Sequence, residues 1–467
     1  MKRREFLKRC SLAAGSMAVL GSKALANGVK FADKTAKTKR GAKQYNLLFV
    51  LTDAWRYSAL SHGAHHDKLV RTPNLDKAAK AGACWTRCYS GHPLCTPNRA
   101  VIITGRLPWE IGMNGNNLML PPSERCIADE FTDAGYNSHY IGKWHMDGKA
   151  KPGFVPKGWR RRGFTSFVGF NRGHAYLDTQ TYDNDGSLMS GLVNQYEPTL
   201  QTDWAIDFMT ENKDRPFFCF VSWGAPHGPY SQHTGEFSYN ASDVVTRPNV
   251  SSGNVAAAQG ILADYYAHCT AMDHEFGRLM DFLDQQGLAD NTLVVFTSDH
   301  GEGVKSHGID HKNYPWEESW HVPLIMRLPG KIKPGMIVDN SISSADLMPT
   351  LVSLCGLKAT TTCTGTDKSA ALTDAGMPEE SIYGGRKGNW RGVVKGDYKL
   401  VIGSKGKPTN LYNLKDDPYE QSNLVKKADY STVKGDLLAE YAAWKTKTND
   451  PFPVTPPNAE NFYPDPV

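Results

Sequence analysis

Residues 46–53, Asn-Leu-Leu-Phe-Val-Leu-Thr-Asp, form a continuous apolar run that ends on a hydroxyl and a carboxylate. A run that is apolar on both faces is typical of a strand in a parallel sheet covered by helices on both sides. Three later runs have the same form and also lead into polar side chains. They are residues 138–141, followed by Lys143 and His145, residues 217–221, followed by His227, and residues 293–298, followed by Asp299 and His300.

The polar residues at these four strand ends are predicted to converge on one site. In open α/β sheets, ligands bind beyond the carboxyl ends of the strands. Asp53 and Asp299 would then supply two carboxylates to a hard divalent cation, which prefers oxygen ligands. Either carboxylate alone could equally cap a helix, so the metal prediction depends on the four ends lying together.

Helical patterns lie between the strand-like runs. The spacing of apolar residues predicts helices from Thr72 towards Ala83, over Asp264–Gln286 and over Asp346–Leu354. Alternating strands and helices are typical of an α/β fold. We therefore predict a large, mostly parallel sheet sandwiched by helices.

The last part of the chain has a different pattern. Residues 359–378 are rich in Thr, Gly, Ala and Ser, which indicates a linker. Trp390–Lys395 and Tyr398–Ile402 predict two strands joined by a Gly-Asp turn. The predicted organisation is a main domain over residues 27–365 and a smaller C-terminal antiparallel-sheet subdomain, of α+β type, over residues 380–467.

The first 26 residues have the features of an export signal. A basic segment, Lys2–Arg9, precedes an apolar stretch that ends at Ala24–Ala26, a typical cleavage site. The order Arg-Arg-x-Phe-Leu-Lys resembles a twin-arginine signal, which predicts the twin-arginine export machinery as a partner and a periplasmic or secreted location. The alternative is a basic amphipathic helix.

The charge of the remaining chain excludes some classes of partner. The formal net charge of +5 comes from the signal segment, and without it basic and acidic side chains balance. No nucleic-acid partner is therefore expected. No stretch of the mature chain is long and apolar enough to predict a membrane span.

A cysteine beside a predicted helix start is the most specific local motif. Residues 95–99 read Cys-Thr-Pro-Asn-Arg and residues 104–106 read Thr-Gly-Arg. Thr96 is predicted as the N-cap, Pro97 as the first helical residue and Gly105 as the helix end. An anion at such a helix start is stabilised by the helix dipole. The alternative is a buried Cys before a core helix.

Cys-x-Pro-x-Arg followed by Thr-Gly-Arg resembles the formylglycine signature of the type I sulfatases, in the alkaline phosphatase superfamily. The resemblance implies that Cys95 is oxidised by a formylglycine-generating maturase to 3-oxoalanine, whose hydrate attacks sulfate esters. Asn98 differs from the Ser or Ala that is usual in the family. The main domain, residues 27–365, would be the sulfatase catalytic domain.

The same resemblance implies the other site residues. The metal, Ca²⁺ or alternatively Mg²⁺, would be held by Asp53, Asp299, His300 and the modified Cys95. The family commonly has a second Asp or a Gln where this chain has Ala54. The further catalytic residues would be Arg99, His145 and His227, and the substrate-binding residues Lys143 and Lys312. His307 is predicted from its place beside Lys312 to line the substrate pocket, and a purely structural role is the alternative.

The implied function is hydrolysis of a sulfuric ester of a sulfated small molecule or glycan. A sulfated carbohydrate is the expected substrate of an exported sulfatase. Aromatic residues in the loops 171–182 and 230–239 could stack on sugar rings, and the alternative is that they anchor these loops to the core. Two alternatives stay open. One is a phosphonate or phosphate monoester hydrolase on the same scaffold, and the other is a catalytically inactive protein that binds sulfated glycans.

Overall fold

A computed structural model describes residues 44–63, 65–373 and 376–454. The predicted export signal, residues 1–26, lies outside these ranges. Within them, no helix combines the length and the apolar character needed to cross a membrane.

The described ranges alternate strands with helices over most of their length. The strands are β1 Asn46–Asp53, β2 Ala83–Trp85, β3 Cys88–Tyr89, β4 Asn137–Lys143, β5 Ser166–Phe170, β6 Phe217–Pro226, β7 Thr292–Ser298, β8 His321–Val322, β9 Leu324–Arg327, β10 Met336–Val338, β11 Ile342–Ser343, β12 Ile382–Arg386, β13 Trp390–Lys395, β14 Tyr398–Gly403 and β15 Pro408–Asn413. The α-helices are α1 Pro73–Ala81, α2 Cys95–Thr104, α3 Ile127–Asp133, α4 Glu197–Asn212, α5 Val255–Gln285, α6 Glu317–Trp320, α7 Ser344–Leu354 and α8 Ser431–Lys447.

An eight-stranded sheet with the order β10-β2-β9-β7-β1-β6-β4-β5 forms the centre of the protein. Only β9 pairs antiparallel to its neighbours, so the sheet is mostly parallel. The four strands that the sequence analysis identified, β7, β1, β6 and β4, are consecutive in this order. The predicted α/β fold with a large, mostly parallel sheet is therefore confirmed.

The apolar run at 46–53 is explained by burial on both faces of the sheet. Leu47 and Phe49 of β1 belong to one core cluster, whereas Leu48 and Val50 belong to the cluster on the opposite face. All four side chains are at most 1% exposed. Such two-sided burial requires apolar residues at successive positions and excludes an alternating pattern.

Helices α2 and α5 begin at other residues than expected, and α7 begins two residues earlier than predicted, at Ser344. Helix α2 begins at Cys95 with Leu94 as its N-cap, so the prediction of Thr96 as N-cap and Pro97 as first helical residue is wrong. The hydroxyl of Thr96 donates to the backbone oxygen of His145 at 2.8 Å and accepts from the N–H of Asn117 at 3.3 Å, so it binds a neighbouring segment and does not cap the helix. Helix α5 begins nine residues earlier than predicted, at Val255.

The C-terminal part forms a four-stranded antiparallel sheet, β12-β13-β14-β15, with helix α8 packed against it. The predicted pairing of Trp390–Lys395 with Tyr398–Ile402 is present, with Lys395 opposite Tyr398 across the turn. The predicted smaller antiparallel subdomain is therefore confirmed as a fold element. The domain limits given for it stay predictions.

A buried ion pair ties this subdomain to the last described residues. Arg391 of β13 donates to both carboxylate oxygens of Asp450, at 2.6 and 2.9 Å, and neither side chain is exposed. Tyr383 also donates to Asp450. The guanidinium of Arg391 lies 4.2 Å from the ring centre of Trp109 in the main domain. Three segments that are distant in sequence therefore meet at one charge pair.

We expect Asp450→Ala to lower the free energy of unfolding by about 3–5 kcal/mol, because it leaves the buried Arg391 charge without its partner. Denaturant unfolding monitored by fluorescence measures this change. Asp436→Ala, which removes an exposed carboxylate on α8, is the matched control and should stay within about 0.5 kcal/mol of the parent. Equal stability of the two variants would contradict the structural role of the pair.

Candidate active site

Strand register brings the two predicted metal-binding carboxylates together. Thr52 of β1 lies opposite Ser298 of β7, so the next residues, Asp53 and Asp299, are adjacent at the carboxyl edge. The backbone N–H of Asp299 donates to Thr52 O at 3.1 Å and extends the pairing by one step. Both carboxylates are completely buried.

Cys95 and His300 complete a compact group of potential ligands. The Sγ of Cys95 lies 3.2 Å from His300 Nε2 and 3.8 Å from Asp53 Oδ1. One donor atom from each of Asp53, Cys95, Asp299 and His300 lies within 4.8 Å of the other three. The prediction that the strand ends and the Cys95 motif meet is therefore supported by the geometry.

Arg99 lies one helical turn after Cys95 and bridges the two carboxylates. Its Nε donates to Asp299 Oδ2 at 2.9 Å, and its Nη2 donates to Asp53 Oδ2 at 3.1 Å. The remaining nitrogen, Nη1, donates to the backbone oxygen of Lys143 and to Ser222 Oγ. All the polar nitrogens of this buried cation are thereby used in holding the site together.

Lys143 reaches across strand β6 to Asp53, with Nζ 2.5 Å from Oδ2. Burial raises the pKa of Asp53, but the positive charges of Lys143 and then Arg99 outweigh burial and hold it well below the ordinary value. The residue before Lys143 is Gly142, with φ of 97°. A Cβ there would lie 2.3 Å from Ser222 O, so this turn of the chain requires glycine.

Lys312 and His227 form a second polar pair beside Cys95. The Nδ1 of His227 lies 2.7 Å from Gly228 O. A carbonyl oxygen can only accept a hydrogen bond, so Nδ1 carries the proton. The other ring nitrogen, Nε2, therefore accepts from the Lys312 ammonium. Burial and the Lys312 charge lower the pKa of His227 to about 3, so the imidazole is neutral at pH 7.

The charges around Cys95 favour an anion at this position. Burial and the nearby Asp53 raise the pKa of the Cys95 thiol. The positive charges of Lys312 and Lys143, together with His300, outweigh both and lower it below the ordinary value. Burial also opposes the charged form of His300, but Asp299 and Cys95 raise the pKa of that imidazole to about 9.

His145 has one ring nitrogen that is available for chemistry. Its Nε2 lies 3.2 Å from Asn117 Oδ1, which accepts the N–H, whereas Nδ1 is buried and has no hydrogen-bond partner among the described residues. Burial and the charge of Lys143 hold the pKa of His145 well below its ordinary value. The residue is thus a neutral imidazole with a free lone pair.

The donor set fits a divalent cation. Two carboxylates, one imidazole and the side chain of residue 95 converge on a small buried volume, and carboxylates are the ligands that Ca²⁺ and Mg²⁺ prefer. Ala54 supplies no ligand, and its N–H donates to Asp299 Oδ1 at 3.2 Å. In the ranges that the structure describes, no further acidic, His or Cys side chain joins this group.

His307 is the one predicted substrate-binding residue that the structure does not bring to Cys95. Its ring stacks on Trp316 with centres 4.2 Å apart, and its Nε2 lies 3.1 Å from the Asn249 amide. It also lies close to the buried carboxylates of Glu318 and Glu420. These contacts are those of a residue that packs the loop after Lys312.

His174 joins the site although the sequence analysis assigned it no role. Its ring stacks on His227 with centres 3.9 Å apart. The hydroxyl of Tyr176 lies 3.2 Å from His174 Nδ1 and itself donates to backbone oxygens, so Nδ1 carries the proton. Nε2 therefore faces Lys143 Nζ, at 3.3 Å, as an acceptor. One imidazole thus orients both a lysine and a histidine of the site.

The sequence offered only a weak signal for His174. It lies in the loop 171–182, which was noted for its aromatic content, four residues after the end of β5, a short strand that the sequence analysis did not identify. Its role depends on a loop folding back over β6. Burial and then the charge of Lys143 hold the pKa of His174 far below the ordinary value, which keeps it an acceptor.

Comparisons with known proteins identify the family to which the chain belongs. A family model for sulfatases matches residues 45–357, and a model described as N-sulphoglucosamine sulphohydrolase, C-terminal, matches residues 305–447. An ulvan-active sulfatase from Formosa agariphila is 32% identical over 436 residues, which cover 90% of this chain and 84% of that protein. The chain therefore belongs to the sulfatase family of enzymes.

Other relatives extend the comparison. An endo-4-O-sulfatase from Bacteroides thetaiotaomicron is 30% identical, with 68% of this chain and 70% of that protein covered. Among solved structures, the yidJ protein from Bacteroides fragilis, described as a sulfatase, has a TM-score of 0.81 and 28% identity. The match covers 90% of this chain and 99% of that one. The predicted family and fold are confirmed, and the inactive binding protein is no longer a competing interpretation.

We expect His174→Ala to lower kcat for an aryl sulfate by about 10- to 100-fold, because Lys143 and His227 lose the ring that orients them. Steady-state kinetics of 4-nitrophenyl sulfate hydrolysis measure the change. His274→Ala removes an exposed histidine of α5 and should leave kcat unchanged. If the two variants had the same kcat, the orienting role of His174 would be excluded.

Proposed function

We propose that this sulfatase removes sulfate from an exported-compartment substrate, a sulfated carbohydrate, using 3-oxoalanine made from Cys95 and a divalent metal. The observation that carries the proposal is the convergence of Cys95 with Asp53, Asp299 and His300 within 4.8 Å. These residues come from two strand ends and a helix start. Such a buried, mixed-charge group has no structural use that an apolar cluster would not serve better.

The relatives support a glycan as the substrate. One is named for its activity on ulvan, and another as an N-acetylglucosamine-6-O-sulfatase. A structural neighbour with a TM-score of 0.79 and 25% identity comes from a Bacteroides thetaiotaomicron locus for the metabolism of multiple glycosaminoglycans. All three act in carbohydrate chemistry according to these names. We extend that chemistry to this chain as a proposal.

The metal and the modified residue supply chemistry that the unmodified side chains lack. Asp53, Asp299 and His300 would hold the cation beside residue 95, and Ca²⁺, with Mg²⁺ as the alternative, suits the two carboxylates. A bound dication would neutralise charge on a sulfate oxygen and make a hydroxyl of residue 95 more acidic. The aldehyde of 3-oxoalanine, in its hydrated form, would provide that hydroxyl as the nucleophile.

The cationic side chains around residue 95 would bind the sulfate. Lys143 and Lys312 both lie close enough to Cys95 to lower its pKa, so an anion attached there meets two ammonium groups. Arg99 would hold the two carboxylates in fixed positions relative to residue 95, since its donors already contact both aspartates. Preorganised positive charge of this kind stabilises the transition state because it needs no reorganisation.

The two neutral imidazoles would divide the proton transfers. The proton between Lys312 Nζ and His227 Nε2 belongs to the Lys312 ammonium, so His227 would act as the acid by taking this proton on Nε2 and passing it to the departing alcohol oxygen, which leaves Lys312 as a neutral amine. His145 would act as the base through its unpaired Nδ1. When the bond between sulfur and the alcohol oxygen breaks, the alcohol would depart as an unstable alkoxide unless it received a proton, which is why a donor at this place would accelerate the reaction.

The predicted partners follow from the same proposal. A formylglycine-generating maturase would modify Cys95 before the chain folds, because this residue is only 2% exposed in the folded protein. The twin-arginine-type signal at residues 1–26 would direct the protein to the periplasm or the exterior. Sulfated polysaccharides are found outside cells, so this location would suit the substrate.

We expect Cys95→Ser to lower multiple-turnover hydrolysis of 4-nitrophenyl sulfate by more than about 1,000-fold, since a serine cannot form the aldehyde. Cys363→Ser, at a half-buried free thiol, is the matched control and should retain the parent rate. The same assay with 4-nitrophenyl phosphate compares the two esters, and sulfate should be preferred. Parent-like turnover by Cys95→Ser would refute the modified nucleophile.

Mass spectrometry tests whether Cys95 is converted to 3-oxoalanine at all. The peptide that contains residue 95, taken from protein made in its native host, should have the mass of the aldehyde in place of the thiol. A fully unmodified thiol in active enzyme would show that 3-oxoalanine is not required.

We expect removal of divalent metal by a chelator to lower activity at least about tenfold, with recovery on addition of Ca²⁺ or Mg²⁺. Asp299→Asn should weaken Ca²⁺ binding, measured by calorimetry, by about 10- to 100-fold. Asp290→Asn, at an exposed carboxylate, should leave Ca²⁺ affinity unchanged. Full activity in verified metal-free protein would rule out the proposed metal site.

A further inference from the structure

The turn between β12 and β13 brings the C-terminal subdomain against the site. The N–H of Gly385 donates to Gly91 O at 3.1 Å, and the indole of Trp390 donates to Asn313 O at 3.0 Å. Gly91 lies four residues before Cys95, and Asn313 directly follows Lys312. The turn, residues 386–390, is therefore fastened to both of the segments that flank the nucleophile and the proposed sulfate-binding lysine.

Strand geometry then determines which way Arg386 faces. Successive side chains of a strand point to opposite faces, so Arg386 shares a face with Gly384. A Cβ at Gly384 would lie 3.0 Å from Gly91 O, which shows that this face is turned towards the main domain. Arg386 consequently projects over the segment that leads from Gly91 to Cys95.

Electrostatics place the Arg386 charge near the same segment. His92 is buried, and both of its ring nitrogens lack hydrogen-bond partners among the described residues. Burial, followed by the charges of Arg391, Arg386 and His300, holds the pKa of His92 well below its ordinary value. The charges of the two C-terminal arginines and of His300 in the candidate metal group therefore all act on His92.

Arg386 is half-buried, and within the described ranges its side chain has no hydrogen bond and no ion pair. Other arginines around the site are used: Arg99 bridges two carboxylates, and Arg391 is paired with Asp450. A half-buried guanidinium without a protein acceptor keeps its donors available for a ligand. Its fork of donors matches a carboxylate or a sulfate.

We infer that Arg386 binds a second anionic group of the substrate, beyond the sulfate that is removed. The inference rests on the proposed function, and it defines the substrate class as a glycan with at least two anionic groups. The second group is a uronate carboxylate or a further sulfate, and both offer the paired oxygens that a guanidinium binds. The C-terminal subdomain would thereby select substrates while the main domain carries the chemistry.

Binding measurements on metal-loaded Cys95→Ala protein test this inference without turnover. The ligands are pairs of sulfated disaccharides: a uronate-containing one with its carboxyl-reduced form, and a disulfated one with its monosulfated form. Calorimetry should show about tenfold tighter binding of the more anionic member in at least one pair. The pair that shows the preference identifies the second group as carboxylate or sulfate.

Adding Arg386→Gln should reduce that preference to less than about twofold, and Arg386→Lys should retain only part of it, because an ammonium lacks the fork. Lys405→Gln is the matched control, since it removes an exposed charge at the turn between β14 and β15 of the same sheet and should keep the full preference. Unfolding midpoints confirm that the variants fold.

Two results would overturn the inference: equal or undetectable binding of both members in every pair, or a preference that persists in Arg386→Gln. Failure of the proposed function is seen separately, as wild-type protein that releases no sulfate from 4-nitrophenyl sulfate or from the disaccharides.

Discussion

Arg99 lies between the buried carboxylates of Asp53 and Asp299 and donates a hydrogen bond to each. Two carboxylates that are both withdrawn from water lose their hydration and repel each other in a medium of low dielectric constant. A guanidinium can offset both effects because its planar donors reach two acceptors at once. Helix α2 must therefore start at Cys95, which places residue 95 and Arg99 on one face directly against the two strand ends.

The parallel sheet provides the other half of this arrangement. Strands β7, β1, β6 and β4 are neighbours, and all four run in the same direction, so their polar ends share one edge. Parallel pairing also fixes the register that puts Asp53 beside Asp299 and lets Lys143 reach over β6. The aliphatic residues buried on both faces keep these ends rigid, which a site built from charged groups requires.

The site has three arginine or lysine side chains around the two aspartate carboxylates, so one of these positive charges is left without a carboxylate partner. Arg99, Lys143 and Lys312 surround the carboxylates, while His145, His174 and His227 are kept neutral by burial and by the nearby lysine charges. The cations therefore attract an anionic ester, and the neutral histidines add no negative charge that would compete with the ester for these cations. The family assignment and this charge distribution support the same chemistry from independent observations.

The sequence by itself determined the fold class, the strands that carry the site, and the Cys95 motif, because buried parallel strands need continuous apolar runs and the motif is contiguous. It also supplied Asp53, Asp299, Lys143 and His227, since each lies at or next to a strand end. Only the tertiary structure brought in His174 and Arg386 and moved His307 away from Cys95. His174 and His307 lie in loops and Arg386 is the last residue of β12, so the positions of all three depend on packing between distant segments, which no local pattern encodes.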